Sequence, residues 1–263
     1  MGFWSLFGKG PMSSAKIDKA ATLAANPYAQ PDVRMREMQR LLADGTTASI
    51  RGALKRFAAN ASGHIADEEE KKWLEDALVD MGEVTLEPLR DYIRSQEALT
   101  FVLRTYRRIA GDAETVRFLI EVLKAYGPEH YRAVDAKVQI TWMLAEMLDD
   151  RRVFVALQPF LLDHSDDVRW AVMDLLEQAI RRDLVAGDTL AAVRADLGAL
   201  VTDGQVGPRI QRRAAELLAD HEWQLPPAAE VLASLLEGDF FLDKKRFVRR
   251  RNKSSSPGSE RVR

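Results

Sequence analysis

The chain has 263 residues, 46% of them hydrophobic and 30% charged, enough to bury a real core as one elongated domain or two compact ones. It contains no cysteine, which excludes a disulfide framework, a thiolate metal site and a cysteine nucleophile. The net charge of -2 hides an asymmetry: residues 244–263 hold nine basic residues and one acid, so that segment is +8 and residues 1–243 sum to -10.

Taken in chain order, the opening MGFWSLFGKG is a short apolar segment, residues 1–12, expected to cap the first helix or to touch a partner or membrane. It lacks a basic n-region and a long apolar h-region, and Leu6 breaks the myristoylation pattern, so a cytoplasmic location is expected. Helical periodicity then runs almost unbroken. It predicts helices over 13–25, 31–43, 46–61, 67–81, 84–94, 97–110 and 113–126. Further helices are predicted over 131–149, 151–163, 167–182, 188–202, 207–221 and 226–237. The stretch RRVFVALQPFLL is strand-like but is read as helix because its neighbours keep helical spacing. Pro31 and Pro208 suit first-turn positions. Asp67 reads as a helix cap, and DEEEKK (67–72) as a solvated helix start.

Self-similarity organises these helices. LLADGTTASIRGAL (41–54), LLDHSDDVRWAV (161–172) and LVTDGQVGPRIQRRA (200–214) share one plan: an apolar pair, an Asp-containing turn, then Ile or Val opening a helix. Leu-x-Pro recurs at Pro88 and Pro159, where a bend in one helix of each pair is expected. These residues resemble the HEAT-repeat (PBS-lyase HEAT-like) family, whose pairs carry a proline-kinked helix A and an Asp...Val-Arg signature at the start of helix B. The match rests on Pro88, Pro159, Asp44, Asp163, Arg51, Val168 and Arg169 and covers about residues 31–221, with Gln211 replacing the arginine in the last repeat. The resemblance implies an all-α fold, an α-solenoid over 13–238 of about five stacked antiparallel helix pairs plus caps. It also implies a concave face lined by the B helices. Residues 239–263 are read as a basic, largely disordered tail.

Candidate functional residues follow from departures from the stripe. Val168, Ala171, Val172, Leu175, Leu176, Ala179 and Ile180 form the apolar face of helix 167–182, while Trp170 and Asp174 lie off it, one turn apart. Trp170 is either a recognition residue in a concave groove or packed against the adjacent repeat. Trp142 sits in ITWMLAEML, apolar nearly all round, which predicts a central, doubly covered helix, with an exposed groove as the alternative. Arg212 joins Trp142, Trp170 and Asp174 as a candidate partner contact. Arg51 and Arg169 are expected to form a structural ladder with the turn aspartates.

In the tail, Lys244, Lys245, Arg246, Arg249, Arg250 and Arg251 suit nucleic acid, anionic lipid or an acidic protein, or else an intramolecular clasp on the acidic body. His64, His130, His164 and His221 show no metal-ligand spacing, and no phosphate loop or nucleophile motif occurs, so no metal, cofactor or catalytic set is expected. The reading is a non-enzymatic scaffold or adaptor binding a protein partner. The alternatives are a HEAT-like DNA glycosylase built on Trp170 and Asp174, or a nucleic-acid or anionic-membrane binder working through the tail.

Overall fold

A computed structural model of the chain describes residues 10–226 and 238–251. The helices are α1 (Ser14–Ala24), α2 (Pro31–Asp44), α3 (Thr47–Leu54), α4 (His64–Met81), α5 (Leu86–Ser95), α6 (Thr100–Ala110), α7 (Asp112–Tyr126) and α8 (Val134–Ala145). They continue with α9 (Arg152–Leu157), α10 (Asp166–Arg181), α11 (Gly187–Thr202) and α12 (Pro208–Asp220). The all-helical body matches the periodicity closely, and RRVFVALQPFLL is indeed helical: α9 runs into a 3-10 turn, Gln158–Leu162. The helix expected over 226–237 lies, but for Pro226, outside the described residues, as does the FWSLF segment.

The chain divides into two compact units, Met1–Val153 and Phe154–Arg263. In the first, α1 packs on α2 and α3, α3 on α5, α2 on α4, and α4 on α6. α5 packs on α6, α7 on α6 and α8, and α6 on α8. Odd and even helices therefore form two rows, with apolar residues buried between them: Ile17, Met38, Ile50, Leu74, Leu89 and Leu103 are among the fully or nearly fully enclosed ones. In the second unit, α11 packs on the 3-10 turn Gln158–Leu162 and on α12, while α10 packs on that same turn and on α12. The predicted stripe of α10 is enclosed at Val168, Ala171, Val172, Leu175, Leu176 and Ala179.

Polar bonds tie neighbouring helices together at similar sequence separations. In the even row Arg34 of α2 binds Glu70 of α4, Gln139 of α8 caps the Leu99 N–H at the start of α6, and Arg107 of α6 binds Glu146 just past α8. In the odd row of the first unit Arg51 of α3 binds Asp91 of α5 and Arg152 reaches the Ala113 carbonyl of α7; within the second unit Gln158 binds Asp196 of α11. The sequence separations of these six contacts are 36, 40, 39, 40, 39 and 38 residues.

The rows refine two expectations. Pro88 and Pro159 each lie where a 3-10 segment and an α-helix meet, so their missing N–H groups interrupt no mid-helix ladder. Val168 and Ile210 open even helices, but Ile50 opens an odd one, α3, so the signature at 41–54 is out of phase with the other two. The turn itself explains why it looks alike. Asp163 and Asp203 each accept the backbone N–H two residues on, at 2.9 and 2.8 Å, and Asp44 accepts from Thr46 Oγ1 at 2.6 Å. Gly45 adds the left-handed C-cap of α2 at φ 66°. A turn chemistry that ends any helix need not mark the same helix of a pair.

The basic C-terminal segment is a correction for residues 240–250. β1 (Phe240–Leu242) and β2 (Val248–Arg250) form an antiparallel hairpin, with Phe240 opposite Arg250 and Leu242 opposite Val248. Phe240 and Val248 are buried, β2 packs on α12, and Leu225 N–H bonds the Arg246 carbonyl. Alternating apolar residues among the arginines supply the core face that net charge alone obscures.

Candidate functional site

The even-row surface of the second unit brings Trp170 and Asp174 together with residues of α12. Trp170 is half-buried, and the guanidinium carbons of Arg209 and Arg213 lie 4.4 and 5.6 Å from its ring centroid. Arg213 donates from Nη2 to Asp174 Oδ1 at 2.7 Å and from Nε at 3.2 Å, and to Glu177 Oε2 at 2.5 Å. Arg181 holds the other Glu177 oxygen at 2.5 Å. Burial alone would raise the Glu177 pKa, but the hydrogen bond and charge of Arg213, helped by Arg181, hold it below the usual carboxylate range. Burial opposes the Arg213 charge, and its two carboxylate partners more than compensate.

Of the two readings of Trp170, the one realised is contact with the neighbouring even helix. Its partners come from α12: Arg213 stands 39 residues after Asp174, and Arg209 stands 42 after its own ion-pair partner, Asp167. Aligning α12 under α10 would have pointed to Arg213. Arg212, the residue singled out from sequence, instead pairs with Glu216 at 3.3 Å and Asp239 at 2.6 Å. Arg213's double bond to Asp174 directs that carboxylate at α12.

Trp142, in the first unit, is the sharper departure. Although α8 buries Ile140, Thr141, Met143 and Leu144, Trp142 itself is 61% exposed, which corrects the expectation of central burial. The helix is covered on one side, and the apolar run continues past the edge of that cover. Helical spacing places Gln139 and Glu146 beside the indole. Both are held by α6 and its leading turn: Gln139 accepts from Leu99 N–H at 2.8 Å and donates to the Glu97 carbonyl at 2.6 Å, and Glu146 binds Arg107.

The expected arginine ladder takes another form. Arg51 binds Asp91 on the next odd helix, and Arg169 binds Asp166 in its own first turn at 3.2 Å, while neither takes a turn aspartate. Asp44 accepts from the Met12 N–H and the Thr46 hydroxyl, and Asp163 from the Ser165 N–H. In the hairpin, Arg250 binds Asp220 through two bonds of 2.9 Å, and Arg249 binds Glu222 at 2.5 Å. Arg246 and Arg251 donate to the Pro226 and Phe240 carbonyls. Lys244 and Lys245 are exposed at the turn. The clasp reading thus holds for Arg249 and Arg250.

Sequence reasoning missed a cluster of buried charges. Arg34 makes a two-bond fork to Glu70 at 2.7 and 2.9 Å, and Arg56, fully enclosed, donates to the same carboxylate at 3.0 and 3.1 Å. Asp67 binds Arg56, Lys71 and the Ala61 N–H. Burial pushes the Asp67 pKa up, yet these donors win and bring it to about 2. DEEEKK is therefore half core: Asp67, Glu70 and Lys71 occupy the stripe positions that Leu74 and Leu78 continue, and the helix cap is Gly63 rather than Asp67. The available signal was a charge at stripe spacing in two helices, Arg34 in α2 and Glu70 in α4.

Among the described residues no group of three or more His, Cys, Asp or Glu is placed to hold a metal ion, and no helix is long and apolar enough to cross a membrane. No family model, curated protein or solved structure matches the chain.

Proposed function

We propose that this chain is a non-enzymatic scaffold of the α-solenoid kind, with HEAT-like helix pairs, that binds a protein partner on its even-row face. Two rows of helices joined by contacts one repeat apart are what a stack of two-helix units requires, since each unit closes its core only against its neighbours. The observation that carries the binding reading is Trp142. A tryptophan 61% exposed and flanked by polar groups already fixed by α6 is a preorganised anchor, and tryptophans of this kind dominate interface energetics. Within the second unit, Trp170, stacked under Arg209, offers a separate aromatic edge on α10.

The reading needs no cofactor. The glycosylase alternative draws no support from Asp174, whose carboxylate is neutralised by Arg213. The anionic-partner alternative retains only part of the basic segment, because Arg249 and Arg250 are engaged by Glu222 and Asp220. Calorimetry with a purified partner tests the proposal. Trp142→Ala is expected to weaken binding by about 2 kcal/mol or more with the helical signal unchanged, and unaltered affinity refutes the role of this face.

A further inference from the structure

The apolar segment FWSLF (3–7) has no part in the even-row reading. It lies outside the described residues, but the chain that follows it is described from Gly10 onward. There the Met12 N–H bonds Asp44 Oδ1 at 2.5 Å, which pins the approach to α1 against the turn between α2 and α3. Thr46 bonds the same carboxylate.

Met12 and Thr46 also line one end of a hollow of about 500 Å³ between α1 and α3. Its walls are two matching helix faces. Ser14, Ile17, Asp18 and Ala21 line it from α1, and Ala48, Arg51, Gly52 and Lys55 from α3 and its C-cap, each set spaced i, i+3, i+4, i+7. Ile17, Ala21 and Gly52 form a buried floor. A Cβ on Gly52 would stand 3.2 Å from the Ala21 Cβ and 3.5 Å from Ile17 Cγ2, so the helices meet nearly backbone to backbone. Above that contact Ala21, Ala48 and Gly52 are too small to fill the space between the walls.

Reach, concentration and chemistry all favour one occupant. Phe7 stands five residues before Met12, a span of at most about 17 Å. The α1 wall from Ser14 to Ala21 is only about 10 Å long, so FWSLF covers it after a single reversal. Gly8, Gly10 and Pro11, which lie between, are residues that favour such a reversal. A segment on so short a tether meets the hollow at an effective concentration of about millimolar, which a separate partner rarely matches. Four of its five side chains are large and apolar and none is charged, so it gains by covering the floor and brings no charge against Asp18 or Arg51.

We infer that residues 3–7 fold back along α1 and occupy the α1–α3 hollow of their own chain, with Trp4 and Phe7 seated over Ile17, Ala21 and Gly52. The segment is a built-in lid on the first helices, not an anchor for a membrane or a second protein. This inference does not rest on the role of Trp142.

The chain holds no cysteine, so paired substitutions in the full chain report the contact without background. Ser5→Cys keeps all four apolar side chains of the segment. It is combined with Ala48→Cys in the hollow, or with Ala43→Cys, an exposed site that adjoins Asp44 but does not line the hollow. A disulfide needs the two Cα atoms within about 7 Å. Under copper–phenanthroline oxidation the pair 5 and 48 is expected to close within one chain about tenfold faster than the pair 5 and 43. Adding Trp4→Ser and Phe7→Ser, with the helical signal unchanged, is expected to bring the first rate down to the second. Equal rates for the two pairs, or a fast rate that survives the serine substitutions, overturns the inference. A bond formed only between chains also overturns it, since the seat is then in a second copy. So does an intrachain bond lost on adding vesicles of equal parts phosphatidylcholine and phosphatidylglycerol, which would make lipid the preferred surface.

Discussion

Arg213 and Asp174 stand 39 residues apart in sequence and 2.7 Å apart in space, joining α12 to α10. The same guanidinium holds Glu177, whose side chain is as buried as its own, at 13% exposure. Removing Arg213 leaves Glu177 with Arg181 alone and uncovers one edge of Trp170. Arg213→Ala is expected to destabilise the chain by about 2 kcal/mol, whereas Asp174→Ala, at a more exposed carboxylate, costs about 1 kcal/mol or less. Urea unfolding of both single variants and the double variant measures the coupling, and strict additivity would deny the bond its role.

The buried network around Glu70 sets a steeper expectation. Glu70 is the shared partner of Arg34 and Arg56, so Glu70→Gln leaves the enclosed Arg34 without its counter-charge and Arg56 with Asp67 alone. The expected cost is about 3–5 kcal/mol in chemical denaturation. A change below about 1 kcal/mol would mean that water or a rearranged carboxylate already serves those arginines.

The same network fixes the direction of the acid response. Asp67 is lowered from 3.8 to about 2 when folded, and Glu70 is lowered from 4.5. Depressed folded values mean that the unfolded chain binds these protons first as pH falls. The stabilisation is complete above the unfolded values and is lost as pH drops from 4.5 toward 2. Thermal melts across that window are expected to show a falling Tm, with a shallower fall in Glu70→Gln; parallel curves would contradict the assignment.

Much of this fold was legible because the α10 stripe, the Asp turns and the helix-starting prolines are local signals. The buried charges were not, because Asp67, Glu70 and Lys71 read as solvent-facing until α2 presents Arg34 to them. Trp142 was misjudged for the opposite reason: an all-round apolar helix predicts cover on all sides, and α8 is covered on fewer. Arg213 was passed over for Arg212 because a helical face cannot be phased to one residue without its neighbour helix. The hairpin was hidden by charge, since Phe240 and Val248 are single apolar positions among arginines and lysines.

That hairpin yields its own expectation. Phe240 is 2% exposed and anchors β1 against the end of the second unit, whereas the Arg250–Asp220 pair is half-exposed. Phe240→Ala is expected to abolish amide protection over 240–250 while leaving α2 to α6 protected. High salt alone, which screens the surface pairs, is expected to leave the hairpin folded. Loss of protection in salt would mean that charge, not the buried phenyl ring, holds it.

Tyr92 offers a test of unpaired burial. Its hydroxyl is buried without a partner, and burial lifts its pKa to about 12. Tyr92→Phe removes an unsatisfied donor at constant shape, so stability is expected to hold or to rise by up to about 1 kcal/mol. A loss of that size would reveal a partner for the hydroxyl.

The even-row face is tested most directly by photo-crosslinking. Trp142 and Val84 are equally exposed, at 61%, but Val84 lies in the 3-10 turn Gly82–Thr85 between α4 and α5, whereas Trp142 lies on α8. With a photoreactive phenylalanine at each position in turn, position 142 is expected to give a discrete protein adduct and position 84 none. Excess native chain is expected to compete that adduct away, and excess Trp142→Ala to leave it. Adducts of equal yield from both positions, or competition by Trp142→Ala as effective as by the native chain, would contradict the scaffold reading.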